Sequence, residues 1–357
     1  MTLTVLCLSL IGSICQEFFR YTRETIYPYA PDNFPSFWTT MIMGTAPAPA
    51  QYRVGVIRVA YWMTQHLHMG MRFTLCIVDM TSVLTAVLLL YSLLVQSSIY
   101  RNAGLAAQWF SSAAFVLLVQ FYLVWPFMDM RPETLPSTLI VAMLLWLWTR
   151  KNSWLNQSTE GHMLTATIIL LLSLAQGLVR ADVAIAMNAG VFLVCLTRSG
   201  KDLGLPKTAA LLTSLASILL AGAIQVYMMK VVYPHARYIE AVFQLKLNIN
   251  SLSRIVTLLL FLPPYVWTLD QIRRRRFTVN ASDLALIVGS LIYAGMWSIL
   301  GTWRAVRIFL PFAMALVPLT VQMAMRRIEQ TSPVEAWLSR IPDTVTLAPE
   351  GIEVSKT

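Results

Sequence analysis

The side chains in this chain best able to do chemistry are two carboxylates and a scatter of arginines. Asp32 sits in the Pro-bracketed turn YAPDNFP, whose rigid backbone would fix a carboxylate in one direction. A base held that way can take a proton from an acceptor hydroxyl, which is general-base chemistry. The same position also suits an Asx-turn or the N-cap of a helix starting near Phe34. Glu24 is a second candidate base, and its spacing from Arg20 equally fits a helical salt bridge. Arg304 and Arg307, in TWRAVR, are three apart. At the start of a helix they would share a face and offer two planar forks to a phosphate, or else anchor the helix at the membrane interface. Arg53, Arg58, Arg131, Arg180, His235 and Arg237 complete the set of anion-binding candidates. Arg131 with Asp129 or Glu133, and Arg180 with Asp182, also read as ion pairs that fasten helix ends.

Other chemistries lack residues. His66 and His68 are two apart and point to different faces of a helix. The four cysteines, Cys7, Cys15, Cys76 and Cys195, lie in apolar runs without CxxC spacing. No cofactor is indicated and no side-chain set supports a divalent metal. A P-loop and a Gly-rich dinucleotide fingerprint are both missing, which leaves ATP-driven and redox reactions without support. The formal charge of +10 is spread over connections between apolar runs, not concentrated in a basic domain with interleaved aromatics, so no nucleic-acid partner is expected.

The elements that must position these residues are membrane helices. Of the 357 residues 57% are hydrophobic and 12% charged, about half the charged share of an ordinary soluble domain. Apolar runs of about 20 residues, each able to cross roughly 30 Å of hydrocarbon, recur along the chain. They predict an all-α polytopic bundle of about ten spanning helices: Leu3–Phe19, Phe73–Leu94, Ala106–Phe127, Ser137–Trp148, Met163–Leu178, Val183–Leu196, Thr208–Met228, Ile255–Leu269, Leu284–Leu300 and Ala305–Met325. The runs 137–148 and 183–196 are short for a full crossing. Leu3–Phe19 has no basic leader and no small-x-small cleavage site, so it reads as a retained helix.

Sidedness follows from the positive-inside rule. With the N-terminus in the cytoplasm, Arg101, Arg150, Lys151, Arg198, Lys201, Lys207, the run Arg273 to Arg276, Arg326 and Arg327 all fall inside. The candidate residues named above then collect outside. The transmembrane domain covers 1–328, and 329–357 is a weakly ordered cytoplasmic tail. Within the long first outer loop, 20–72, the run QYRVGVIRVAYWM has the pattern of an interfacial amphipathic helix. Val54, Ile57, Tyr61 and Val56, Val59, Ala60, Met63 can form its apolar face, with Arg53 and Arg58 at headgroup depth.

This layout resembles the GT-C superfamily of polytopic membrane glycosyltransferases. The likeness lies in the long first outer loop with Glu24 and Asp32, the amphipathic segment with Arg53 and Arg58, the stretch DMRPETLPSTLIVAMLLWL from Asp129 to Leu147, and VRADVAIAMNAG from Val179 to Gly190. It spans roughly 300 residues and rests on organisation more than on a signature; a paired acidic dipeptide in the first loop is lacking. The resemblance implies transfer of a sugar from a polyprenyl-phosphate donor to an acceptor on the non-cytoplasmic side of a bacterial inner membrane. Asp32 would be the base, Glu24 the alternate, and the outer arginines would hold the lipid phosphate. Two other functions fit the same residues: a non-enzymatic binder or transporter of an anionic lipid-linked saccharide, and a structural subunit of an envelope complex.

Overall fold

A computed structural model of the chain describes residue 4 and residues 40–46, 48–124, 132–149, 158–237, 243–274 and 279–331. Asp32, Glu24, Arg131, the expected helix Leu3–Phe19 and most of the expected tail lie outside the described residues. Within them the protein is helical throughout. The helices are α1 (Gly55–Leu67), α2 (Met71–Gln96), α3 (Ser98–Asn102), α4 (Leu105–Val124), α5 (Thr134–Thr149), α6 (Thr159–Leu196), α7 (Lys207–Tyr227), α8 (Leu245–Ile249), α9 (Leu252–Phe261), α10 (Pro263–Arg273), α11 (Ala281–Leu300) and α12 (Leu310–Thr331). Five segments are long and apolar enough to cross a membrane: Phe73–Gln96, Leu105–Val124, Thr159–Leu196, Lys207–Val232 and Ala281–Leu300. The bent pair α9 and α10 makes a sixth if counted as one span.

Several expected spans take a different form. The runs Met163–Leu178 and Val183–Leu196 are joined as α6, which is broken only at Arg180 (φ −156°, ψ 87°). A straight helix would hold Ser173 and Asn188 about 22 Å apart. Instead Asn188 Nδ2 donates to Ser173 Oγ at 3.2 Å. The chain therefore doubles back at Arg180, and the two arms of α6 lie side by side as a hairpin with an apex one residue wide. The expected helix Ile255–Leu269 breaks into α9 and α10 with a bend of 59°. Pro263 and Pro264 cause it, since neither has an N–H to give to the carbonyls of Leu259 and Leu260. The last helix begins at Leu310, not Ala305; residues 306–308 form a 3-10 turn before it. It also runs to Thr331, past the expected start of the tail.

Contacts between connections fall at two ends of the bundle. At one end, called apical here, Ala48 N donates to the Arg237 carbonyl, Tyr52 Oη to the Ala236 carbonyl, and Gln244 N to the Ile299 carbonyl. At the opposite, basal end, Gly204 N donates to the Trp148 carbonyl, Lys207 Nζ to the Thr197 carbonyl, and Arg327 Nη1 to Gln271 Oε1. Successive helices run between these ends in alternation. The middle of the bundle is α12, whose residues 310–323 are all buried by α2, α4, α5, α10 and α11. A helix enclosed by others does not need an apolar surface all round, which is why Thr320 and Gln322 are accommodated there.

The interfacial pattern of the first loop is realised as α1, with a different face from the one expected. Val56, Ile57 and Ala60 are buried against the bundle, while Val59, Tyr61 and Trp62 are exposed. Packing took the narrow stripe, where α1 meets α2 and α6, and left a second apolar stripe outward.

Candidate functional site

Two carboxylates and two arginines meet at the apical end, and each reaches the cluster for a local reason. Glu133 precedes α5, and its carbonyl accepts the Ser137 N–H that opens that helix. Asp182 lies in the first turn of the second arm of α6. Both carboxylates thus sit at helix N-termini, where the backbone dipole favours negative charge. Arg53, in the link between the turn Ala50–Tyr52 and α1, reaches both: Nη1 lies 3.4 Å from Glu133 Oε1 and Nη2 lies 3.5 Å from Asp182 Oδ2.

Arg180 is the buried member, with 2% of its side chain exposed. It donates from Nη2 to Asp182 Oδ2 at 2.7 Å, from Nε to Asp182 Oδ1 at 3.4 Å, and from Nη1 to the Ile308 carbonyl at 3.0 Å. Its Nη2 also meets the hydroxyl of Tyr293 on α11, and that hydroxyl donates to Asp182 Oδ2 at 2.9 Å. One guanidinium therefore ties the hairpin apex to α11 and to the turn before α12. Asp182 stays 34% exposed, so the cluster has a buried floor and an open rim.

Electrostatically the floor is satisfied and the rim is not. Among the described residues Arg58 Nη2 donates only to neutral groups, the Ile42 carbonyl at 3.0 Å and Tyr233 Oη at 3.3 Å. Arg237, Arg304 and His235 are exposed, with no carboxylate within ion-pair distance among the described residues. Arg307 is in the 3-10 turn Val306–Ile308, beside the carbonyl that Arg180 holds.

The structure thus brings Arg53 and Arg180 into direct contact with the same carboxylate. It places Arg58 on the neighbouring helix α1, His235 and Arg237 on the connection that packs against it, and Arg304 and Arg307 beside the Arg180 anchor. It does not give Arg304 and Arg307 a shared helix face, because the helix expected to carry them starts later. The Arg180–Asp182 ion pair, one of the two readings open in the sequence, is present. Glu133 pairs with Arg53, a partner 80 residues away that no local spacing could reveal. Tyr293 was not legible as a site residue at all: in the sequence it is one aromatic within an apolar run. Among the described residues no three His, Cys, Asp or Glu side chains converge to hold a metal ion.

Tyr293→Phe should cost about 1–2 kcal/mol, since it removes one hydroxyl that bridges a charged pair without changing ring volume. Thermal unfolding in detergent checks this, and an unchanged midpoint would show that the hydroxyl is dispensable to the cluster. Comparison of the chain with protein families, with characterised proteins and with solved structures finds no match.

Proposed function

We propose that this protein is a membrane-embedded transferase that moves a sugar from a polyprenyl-phosphate donor to an acceptor on the non-cytoplasmic side, in a bundle of about ten spans like that of the GT-C enzymes. The observation that carries this reading is the apical surplus of arginine. Arg58, Arg237 and Arg304 face outward without a carboxylate among the described residues, around a cluster in which Arg53 and Arg180 hold Glu133 and Asp182. Such a rim suits a phosphate or pyrophosphate at the level where apolar helices give way to water. In this reading Asp32 deprotonates the acceptor hydroxyl, with Glu24 as alternate, and Arg53, Arg304 and Arg307 stabilise the departing lipid phosphate.

The test is Asp32→Asn in the purified full chain, with a polyprenyl-phosphate sugar and candidate acceptors. Transfer should fall by about 10²–10⁴-fold, the usual contribution of a general base, with the protein still folded. Full transfer by that variant would reject Asp32 as the base.

One observation favours a second reading, that of a binder or transporter of an anionic lipid-linked saccharide. Both carboxylates described in the apical cluster, Glu133 and Asp182, are held by arginines. Neither is free to serve as a base. Binding that depends on the rim arginines but is indifferent to Asp32 and Glu24 would decide for it.

A further inference from the structure

The apical connection between α7 and α10 carries a feature that the transfer reaction does not use. Asn248, fully buried in the short helix α8, is held at the Oδ1 end by two donors: Trp303 N at 3.1 Å and Arg254 Nη1 at 3.1 Å. Its Nδ2 donates to the carbonyls of Gly301 at 2.8 Å and Ser298 at 3.3 Å. Sharing one acceptor puts the Arg254 guanidinium next to the backbone of Trp303, the residue before Arg304. Arg254 spends only Nη1, on Asn248 and on Gln244 Oε1 at 3.1 Å. Its Nε and Nη2 donors make no hydrogen bond among the described residues, and neither Arg254 nor Arg304 is near a carboxylate there. Lys246 stands exposed on the same short helix.

The helix that carries Arg254 is amphipathic in the reverse of the usual sense. Leu252, Val256, Leu259 and Leu260 of α9 are spaced at i, i+4, i+7 and i+8 and are all exposed, forming one outward stripe. Because α9 turns by 59° from α10, the stripe does not continue the direction of the following helix but slants away from it at the apical end. An apolar stripe beside unspent guanidinium donors matches a lipid whose chains are apolar and whose headgroup is an anion.

We propose that α8, α9 and the Trp303–Arg304 turn form a binding site for an anionic phospholipid, with its phosphate on Arg254 and Arg304 and its acyl chains along the α9 stripe. Asn248 is the positioning residue that sets the distance between the two cations. The site shares Arg304 with the transfer reading, whereas Arg254, Asn248 and the α9 stripe belong to the lipid site alone.

Native mass spectrometry of the delipidated full chain tests it, with phosphatidylglycerol, phosphatidylcholine and inorganic phosphate titrated in parallel. Phosphatidylglycerol should be retained in preference to phosphatidylcholine. Arg254→Gln and Arg304→Gln should each weaken it by about fivefold, the effect of one basic side chain at an anionic membrane surface. Val256→Ser with Leu259→Ser should weaken the lipid and leave inorganic phosphate unaffected, and Lys230→Gln, exposed beyond the end of α7, should change neither. Equal retention of the two lipids overturns the proposal. So does inorganic phosphate bound as tightly as phosphatidylglycerol, which would make this a site for a free anion. If Arg254→Gln unfolds the protein, Arg304→Gln decides alone: Arg304 is exposed and its side chain makes no hydrogen bond among the described residues whose loss would disturb the fold. Loss of transfer in Asp32→Asn with lipid retention intact would separate the two sites.

Discussion

Asp182→Ala should destabilise the protein by about 3–5 kcal/mol, the range observed when one partner is taken from a buried ion pair. The magnitude follows from what is left behind. Arg180 is 2% exposed and takes its shortest described ion pair, 2.7 Å, from Asp182. Without that carboxylate its remaining hydrogen-bond partners among the described residues are the Tyr293 hydroxyl and the Ile308 carbonyl, dipoles that offset only part of a buried positive charge. The reverse comparison separates charge from packing. Arg180→Met combined with Asp182→Asn removes both charges, so it should recover more than half of the loss, although the Ile308 carbonyl forgoes a donor. Arg53→Ala should cost only about 1 kcal/mol, because Arg53 is 22% exposed and its pairs are long, at 3.4 and 3.5 Å. Unfolding in detergent, followed by the change in helical signal, ranks the variants. If Arg53→Ala proved as damaging as Asp182→Ala, the idea of a rigid floor beneath an adjustable rim would fail.

That ranking also marks how far the sequence could be read. The apolar runs predicted the helical class, and the VRAD turn between two of them matches the apex at Arg180. The sequence could not show that one residue suffices for the turn, because the hairpin is stabilised by bonds to Ile308 and Tyr293, more than 100 residues away. The expected span Ile255–Leu269 runs straight through the Pro263–Pro264 pair, because apolar periodicity does not register a bend. At the site, Arg53 and Arg180 were legible as cations that membrane depth makes costly. Their sharing of Asp182 was not, since it depends on how the first loop folds over the apex. Arg254 was missed for a related reason: at the start of an apolar run it reads as a snorkelling charge, and only the buried Asn248 shows that its position is fixed.

Gly190→Ala should be the most damaging single methyl in the described bundle, at about 3 kcal/mol or more. The second arm of α6 and α11 approach so closely that a Cβ at Gly190 would lie 2.1 Å from the Ala285 carbonyl oxygen and 2.6 Å from Gly289 N. Both are backbone atoms of a helix, so no rotamer change can relieve the overlap and the arms must move apart. At Gly289 the closest approach is 2.8 Å, to the Ala186 carbonyl oxygen, so Gly289→Ala should cost less than Gly190→Ala. Gly222 and Gly295 serve as internal standards. They lie in α7 and α11 with nothing within 4 Å of a Cβ, so alanine there should be neutral or stabilise by up to about 1 kcal/mol through helix propensity. Small residues at such a crossing let dispersion between backbones hold helices that lipid would otherwise solvate equally well. The effect should not stay local. Asp182 and Gly190 are on the same arm, two turns apart, and Tyr293 is on the same helix as Gly289. A methyl that spreads the two helices also pulls the Tyr293 hydroxyl from Asp182. Gly190→Ala combined with Tyr293→Phe should therefore be less damaging than the sum of the two, because the first change has already loosened the bond that the second removes. Strict additivity of their unfolding free energies would show that the glycine crossing and the charged apex are independent.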